Sequence, residues 1–234
     1  MGSGQNSMPL GAGELSMIEF SNKFTYHNRK LFFLTQEQIR TMPMLYRADV
    51  AFALKKAPLL WDFISHLPVN PFSFKYQSLD VKVTMLKKGW YPCIPGWHCD
   101  DFYRPTGGQP DLANLWPAHN SRHFMVLYGD ASLTEFLDFP LQMPEPKGSG
   151  PVYGFYNTLI NDLPKDVYSG HAATAYSEGL YEFDSMTFHR GMPATKDGWR
   201  AFVRLTLGNE RPPKNEVRSQ VQVYVPHDKL EAGW

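Results

Sequence analysis

The chain has only two cysteines in 234 residues, Cys93 and Cys99, and they stand close together on one segment. Their scarcity excludes the disulfide framework that staples small secreted domains, and both read as reduced thiols of a cytoplasmic protein. Neither sign of charge is in excess: Lys and Arg number 23, Asp and Glu number 23, and no long run of either occurs. Counterion release needs clustered cations, so nucleic acid and anionic membrane are disfavoured as partners, although a local basic groove would still admit nucleic acid. No stretch approaches the ~20 apolar residues of a membrane span. The opening "MGSGQNSMPLGAGELSM" lacks the basic and apolar regions of a secretory signal, and residues 1–16 read as a flexible tail.

What is present has two textures within one expected domain, residues 17–234, a length that allows one sizeable core. In "LTQEQIRTMPML" (Leu34 to Leu45) Thr35 is a candidate N-cap, Glu37 and Gln38 follow in the first turn, and Pro43 should stop the helix. "DVAFALKKAPLLWDFISHL" (Asp49 to Leu67) spaces its apolar residues by three and four, which predicts further helix interrupted at Pro58. The N-terminal third is therefore expected to be mostly helical, over about residues 34–67. From about Ser73 the pattern changes to short alternating runs between turn residues: Asp80 to Leu86, Arg122 to Tyr128, Ser132 to Asp138, Gly179 to Ser185, Arg200 to Leu207 and Val221 to Pro226. Many short strands with turn signals between them predict a sandwich or barrel over about residues 73–226. Leu141 to Tyr176 is less regular and reads as a long functional loop.

The segment "GWHCDD" (Gly96 to Asp101) carries the first chemical signal. If it is extended, His98 and Asp100 share a face while Cys99 points away, so an imidazole and a carboxylate can reach one ion. A third ligand is offered by His189 in "FDSMTFHRGMPA", which follows one expected strand and precedes another. Two histidines and a carboxylate on one side of a metal leave the opposite positions open, the facial triad of non-haem iron(II) oxygenases. Downstream, Arg200 and Arg204 fall on one face of "GWRAFVRLTL", with Thr206 beyond them. An inward arginine is costly unless it meets an anion, and its planar fork fits a carboxylate, so a dicarboxylate cosubstrate is expected.

These residues resemble the 2-oxoglutarate and iron(II)-dependent dioxygenases. "RHFMVLYGDASLTEFLD" is similar to the prolyl-4-hydroxylase-type stretch in which an arginine opens a strand and T-x-F follows a tight turn. "FDSMTFHRGMPATKDGWR" is similar to that family's distal-histidine segment, Pro193 included. The resemblance covers roughly Val81 to Leu207. It implies a double-stranded β-helix (a jelly-roll, cupin-like fold) binding Fe(II) at His98, Asp100 and His189. It also implies 2-oxoglutarate and O₂ as cosubstrates, with Arg204 or Arg200 pairing the far carboxylate. The sequence departs from the pattern at Ala131 and Ser132, where the family has Gly-Gly. The position of Pro193 favours Arg200 as the cosubstrate arginine, whereas Arg204 and Thr206 match the family's R-x-S clamp, and the weight falls slightly on Arg204.

Rival readings share parts of this pattern. A lone H-x-D occurs by chance in solvated loops, Asp101 would replace Asp100 if a bulge broke the alternation, and zinc also suits two histidines and a carboxylate. His119 and His123 read as exposed or hydrogen-bonded histidines. Trp90, Tyr91, Trp97, Phe102, Tyr103 and Trp116 read equally as a pocket wall or as ordinary core and rim aromatics. A catalytically silent β-helix binding module would keep the strands and lose the ligands. A cupin-like enzyme without 2-oxoglutarate would satisfy the inward arginine internally, for instance with Glu182. The expected reaction is hydroxylation of a small-molecule or residue-sized substrate, releasing succinate and CO₂. Retention of Asp100 argues against halogenation, which needs that ligand position for halide.

Overall fold

The computed structural model describes residues 16–102, 121–146, 152–164, 172–208, 212–219 and 222–226. Its regular structure is mainly antiparallel sheet. The largest sheet has seven strands in the spatial order β12 (Glu216–Arg218), β3 (Met44–Ala48), β4 (Tyr76–Leu86), β11 (Gly198–Gly208), β5 (Arg122–Tyr128), β9 (Gly179–Asp184) and β2 (Phe24–Lys30). A three-stranded sheet has the order β10 (His189–Gly191), β6 (Thr134–Leu137) and β8 (Ala172–Ala175). β1 (Met17–Phe20) and β7 (Leu141–Pro144) form a separate ribbon.

Alternation along the central strands separates two environments. On one face of the large sheet Val81, Val83, Phe124, Val126, Val203 and Leu205 pack against Val50, Ala53, Leu60 and Phe63 of the N-terminal segment. On the other face Met125, Leu127, Tyr181 and Phe183 pack against Phe136 and Ala175 of the small sheet. Further along this second face, β4 and β11 present Asp80, Lys82, Arg200 and Arg204, polar residues that line a cavity. A third cluster, with Phe20, Trp97, Phe102, Tyr156, Ile160 and Phe188, lies under α4 (Val152–Asn161) and braces the segments that carry the histidines.

The helices form where caps favour them, but they are short. α1 (Gln36–Thr41) has a complete capping box, with Thr35 accepting from Gln38 N and the Gln38 side chain accepting from Thr35 N. α2 (Val50–Lys56) is capped by Asp49, a single-turn 3-10 helix takes up Pro58, and α3 (Trp61–Ser65) follows. The expectation of a mostly helical N-terminal third needs correction, because β1, β2 and β3 all lie in it. β3 begins after Pro43 and pairs with β4, and β2 pairs with β9 at the sheet edge. Those partners lie far along the chain, so local helix signals could not register them.

Elsewhere the strand runs match their expected places to within a few residues. The irregular stretch Leu141 to Tyr176 holds β7, α4 and β8. Of the expected C-terminal strand, Val221 is outside the described residues, and Gln222–Pro226 contributes one bridge, Tyr224 to Tyr91. The residues assigned to the flexible tail, up to position 15, also lie outside them. Among the described residues no helix is long and apolar enough to cross a membrane.

Candidate metal centre and its cavity

His189 is placed by the turn that leaves β9. Asp184 Oδ1 accepts from Met186 N at 2.9 Å and from Thr187 Oγ1 at 2.8 Å, closing the turn. The buried Asn22 then accepts from Phe188 N at 2.8 Å, and Leu137 N donates to Phe188 O at 3.0 Å, which fixes the start of β10. His98 is held from the other side. Gly96 has φ of +106°, and a Cβ there would stand 2.6 Å from Asn157 Oδ1; the same oxygen accepts from Trp97 N at 2.8 Å. α4 thereby presses the His98 segment onto β10, where His98 and His189 form an isolated antiparallel bridge, N to O at 3.0 and 2.9 Å. The segment is a loop with one bridge, not a strand. Asp101 takes φ of +58°, so the chain turns away immediately after Asp100.

The result is a compact donor set. One ligand atom from each of His98, Asp100 and His189 lies within 4.8 Å of the others, so the three could hold a metal ion. His189 Nε2 stands 3.3 Å from Asp100 Oδ2. Each imidazole places Nδ1 3.0 Å from a backbone carbonyl, Gly96 O for His98 and Thr187 O for His189. Nδ1 then carries the proton and Nε2 keeps its lone pair, the ring orientation a metal ligand needs. Burial and the neighbouring His189 both lower the His98 pKa, which favours the neutral ligand form. Burial works to raise Asp100, but Arg204 and His189 hold its carboxyl well below the usual range, so it is an anion. Asp100, not Asp101, completes the set.

The two arginines differ sharply in their partners. Arg204 is bonded to Asp100, donates to Asp80 Oδ2 at 2.9 Å and lies 3.5 Å from Asp101 Oδ2. Burial would lower its pKa, yet Asp100, Asp101 and Asp80 together raise it. Arg200 is 3 % exposed and donates to Ser132 O at 2.7 Å and Thr134 Oγ1 at 3.0 Å, with no carboxylate partner among the described residues. Burial pushes its guanidinium down to about 10, still charged at neutral pH. Thr206 accepts or donates at His123 Nδ1, 3.0 Å away, and does not line the cavity. Glu182 does not satisfy either inward arginine: it pairs with Arg122 and lies 2.7 Å from His27 Nε2.

Donors and arginines line one cavity of about 940 Å³, bounded by β3, β4, β10, β11, β12 and the segments at Pro92–Ile94 and Gln222–Tyr224. The volume lies within the roughly 300–1,000 Å³ usual for small-molecule sites. Its aromatic lining is not the cluster near His98 in sequence. Trp97 and Phe102 are each 1 % exposed, inside the core under α4, while Tyr46, Phe202 and Tyr224 line the cavity. Tyr103, Trp116 and His119 lie outside the described residues. Asp80 and Lys82 were missed as site residues, although "LDVKVTML" alternates Asp80, Lys82 and Thr84 on one face, a polar stripe that faces either solvent or a cavity.

His123 is fully buried and hydrogen-bonded, not exposed. Burial, aided by Arg204, lowers its pKa from 6.5 to about 3. As pH falls the unfolded chain takes this proton first, so the associated stability is present above about 6.5 and is lost progressively towards 3. Between pH 6.5 and 4.5 the loss should reach ~2 kcal/mol, His98 adding in the same direction. Urea midpoints against pH check this: the slope in that window should flatten in His123→Gln, and an unchanged slope would assign it to other groups.

No protein-family model, curated protein or solved structure matches the chain. The assignment of this site therefore rests on its donor chemistry, its geometry and the motif pattern of the sequence.

Proposed function

We propose that the protein is an Fe(II)- and 2-oxoglutarate-dependent oxygenase, with hydroxylation of an organic substrate as its reaction and a double-stranded β-helix as its fold. The observation that carries the reading is the pairing, in one cavity, of the donors His98, Asp100 and His189 with Arg200, a buried cation that no carboxylate among the described residues balances. The donor set suits a ferrous ion that must retain open positions. When bound, iron, 2-oxoglutarate and O₂ would supply the oxidising chemistry, with succinate and CO₂ released.

The chain's own residues have separable tasks. His98, Asp100 and His189 would hold the metal, their orientation fixed by Gly96 O, Thr187 O and Arg204. Arg200 would receive the far carboxylate of 2-oxoglutarate, with Thr134 Oγ1 beside it. Arg204 suits that role less well than the R-x-T spacing suggested, because Asp80, Asp100 and Asp101 already surround it. Its tasks are to hold Asp100 ionised and aimed.

Anaerobic tryptophan quenching or calorimetry with Mn(II) and 2-oxoglutarate tests the reading, followed by succinate release with Fe(II) and O₂. Metal-dependent 2-oxoglutarate binding supports it. Metal binding without any 2-oxoglutarate response would transfer the site to a cupin-like or zinc hydrolase chemistry. Within the proposal, Arg200→Gln is expected to weaken 2-oxoglutarate by about 10- to 100-fold, the loss of a charge-assisted bidentate contact, while metal affinity changes less than about twofold. Equal loss of both would mean that Arg200 holds the site together instead of binding the cosubstrate.

A further inference from the structure

Every carboxylate that lines the cavity already has a cation. Asp80 and Asp100 share Arg204, and Glu216 accepts from Arg218 Nε at 2.7 Å. Two lining cations remain without a carboxylate among the described residues, Arg200 and Lys82. The Lys82 ammonium donates to the Pro92 carbonyl, which occupies one of its three N–H groups, and no carboxylate among the described residues is in contact with it. Burial lowers its pKa, against the opposing effects of Cys93 and Asp100 and with the help of Arg200, as expected of a partly desolvated cation. Such a group is stabilised by an anion. A dicarboxylate cosubstrate with its near end on the metal asks for one distal cation, and Arg200 supplies it.

The sheet register sets the two cations on a diagonal, not directly opposite each other. Asp80, Lys82 and Thr84 of β4 stand opposite Arg204, Phe202 and Arg200 of β11, so the residue facing Lys82 is Phe202. Lys82 also lies one strand further than Arg200 towards β3 and β12, a step of about 4.8 Å. The cavity continues in that direction to Tyr46 and Val217, and Ile94 and Tyr224 also line it. Ile94 and Val217 are 65 % and 53 % exposed, apolar side chains that present surface to an occupant. This compartment therefore combines apolar side chains with the Glu216–Arg218 pair, Ser219 and Gln222, and with one cation, Lys82, that has no carboxylate partner among the described residues.

We propose that this outer compartment binds the primary substrate, and that the substrate is an organic acid with an apolar body whose carboxylate is received by Lys82. The proposal rests on the oxygenase reading only for the placement of 2-oxoglutarate at Arg200. Lys82 would be a specificity-determining residue, selecting acids over their neutral analogues.

The test uses the full chain with Mn(II), with and without saturating 2-oxoglutarate, titrated calorimetrically with short alkyl and aryl acids from hexanoate to 3-phenylpropionate and with the matching amides. The acids should bind at least tenfold more tightly than the amides. Lys82→Gln should remove that preference while 2-oxoglutarate affinity stays within about twofold, and Lys82→Arg should restore part of it. Acids and amides binding alike, or no acid binding, would overturn the proposal. Loss of 2-oxoglutarate binding in Lys82→Gln would overturn it too, by placing Lys82 at the cosubstrate. Failure of the wild type to bind 2-oxoglutarate would count against the oxygenase reading instead. The acid preference measured with Mn(II) alone would then still decide the role of Lys82, and thermal melting confirms that the variants are folded.

Discussion

Replacing His189 by alanine is expected to lower Mn(II) or Fe(II) affinity by more than about 100-fold, beyond the 10- to 100-fold typical of losing only a group that orients a ligand. Metal-dependent 2-oxoglutarate binding and succinate release should disappear with it. The reason is geometric: His189 Nε2 is one of three donors within 4.8 Å, and the remaining His98 and Asp100 cannot enclose an ion. The backbone bridge between residues 98 and 189 does not depend on the imidazole, so the fold should survive. The ring does pack near Phe136 and Phe183, with centroids 5.4 and 5.1 Å away, and a modest fall in melting temperature is expected from the space left. Calorimetry with Mn(II) on His189→Ala and His98→Ala checks the prediction. Unchanged metal affinity in both would remove the metal centre from the account.

The largest effect on stability is expected at Arg204. Its side chain is 13 % exposed and faces Asp80 at 16 %, Asp100 at 28 % and Asp101 at 14 %. In Arg204→Met the packing volume is largely kept, but three carboxylates lose the guanidinium that they share. Breaking a buried pair in this way costs ~3–5 kcal/mol, because the partners left behind are charged and poorly solvated. The urea midpoint at pH 7 should fall accordingly, and part of the loss should be recovered at lower pH as the carboxylates take up protons. Arg204→Lys should recover little, since an ammonium cannot span Asp80 and Asp100 as the planar fork does. A second variant, Asp80→Asn with Arg204 intact, should cost less, because Arg204 keeps Asp100 and Asp101. If Arg204→Met were as stable as wild type, the carboxylate cluster would have to be neutral, contrary to the low pKa direction of Asp100.

The different partners of Arg200 and Arg204 show where motif and environment part company. Spacing along β11 puts both side chains on the inward face, and R-x-T points to Arg204. Register gives the two different partners. Arg204 is opposite Asp80 on β4 and close to Asp100, while Arg200 is opposite Thr84 and reaches Thr134 across to the small sheet. Which arginine meets internal acids depends on strands brought together from Tyr76–Leu86 and Thr134–Leu137, and no pattern within β11 contains that information. The aromatic residues follow the same rule: Trp97 and Phe102 flank His98 and Asp100 in sequence yet turn into the core, and the cavity takes Tyr46 and Tyr224 from distant segments.

The sequence by itself determined the central strands, the cap of α1, and the three residues whose donors gather in the structure. Alternation and capping act over a few residues, and an H-x-D segment and a distal histidine carry their chemistry in residue type and order. Tertiary structure decided the rest. Non-local pairing made sheet out of Phe24–Lys30 and Met44–Ala48, where local signals favoured helix nearby. It chose which cations were balanced and, among the described residues, gave Arg200 and Lys82 no carboxylate partner. It also brought Glu216–Arg218 and Tyr224 to the cavity from the far end of the chain. Electrostatic balance in a buried site depends on distances across strands, and the order of residues along a chain does not contain those distances.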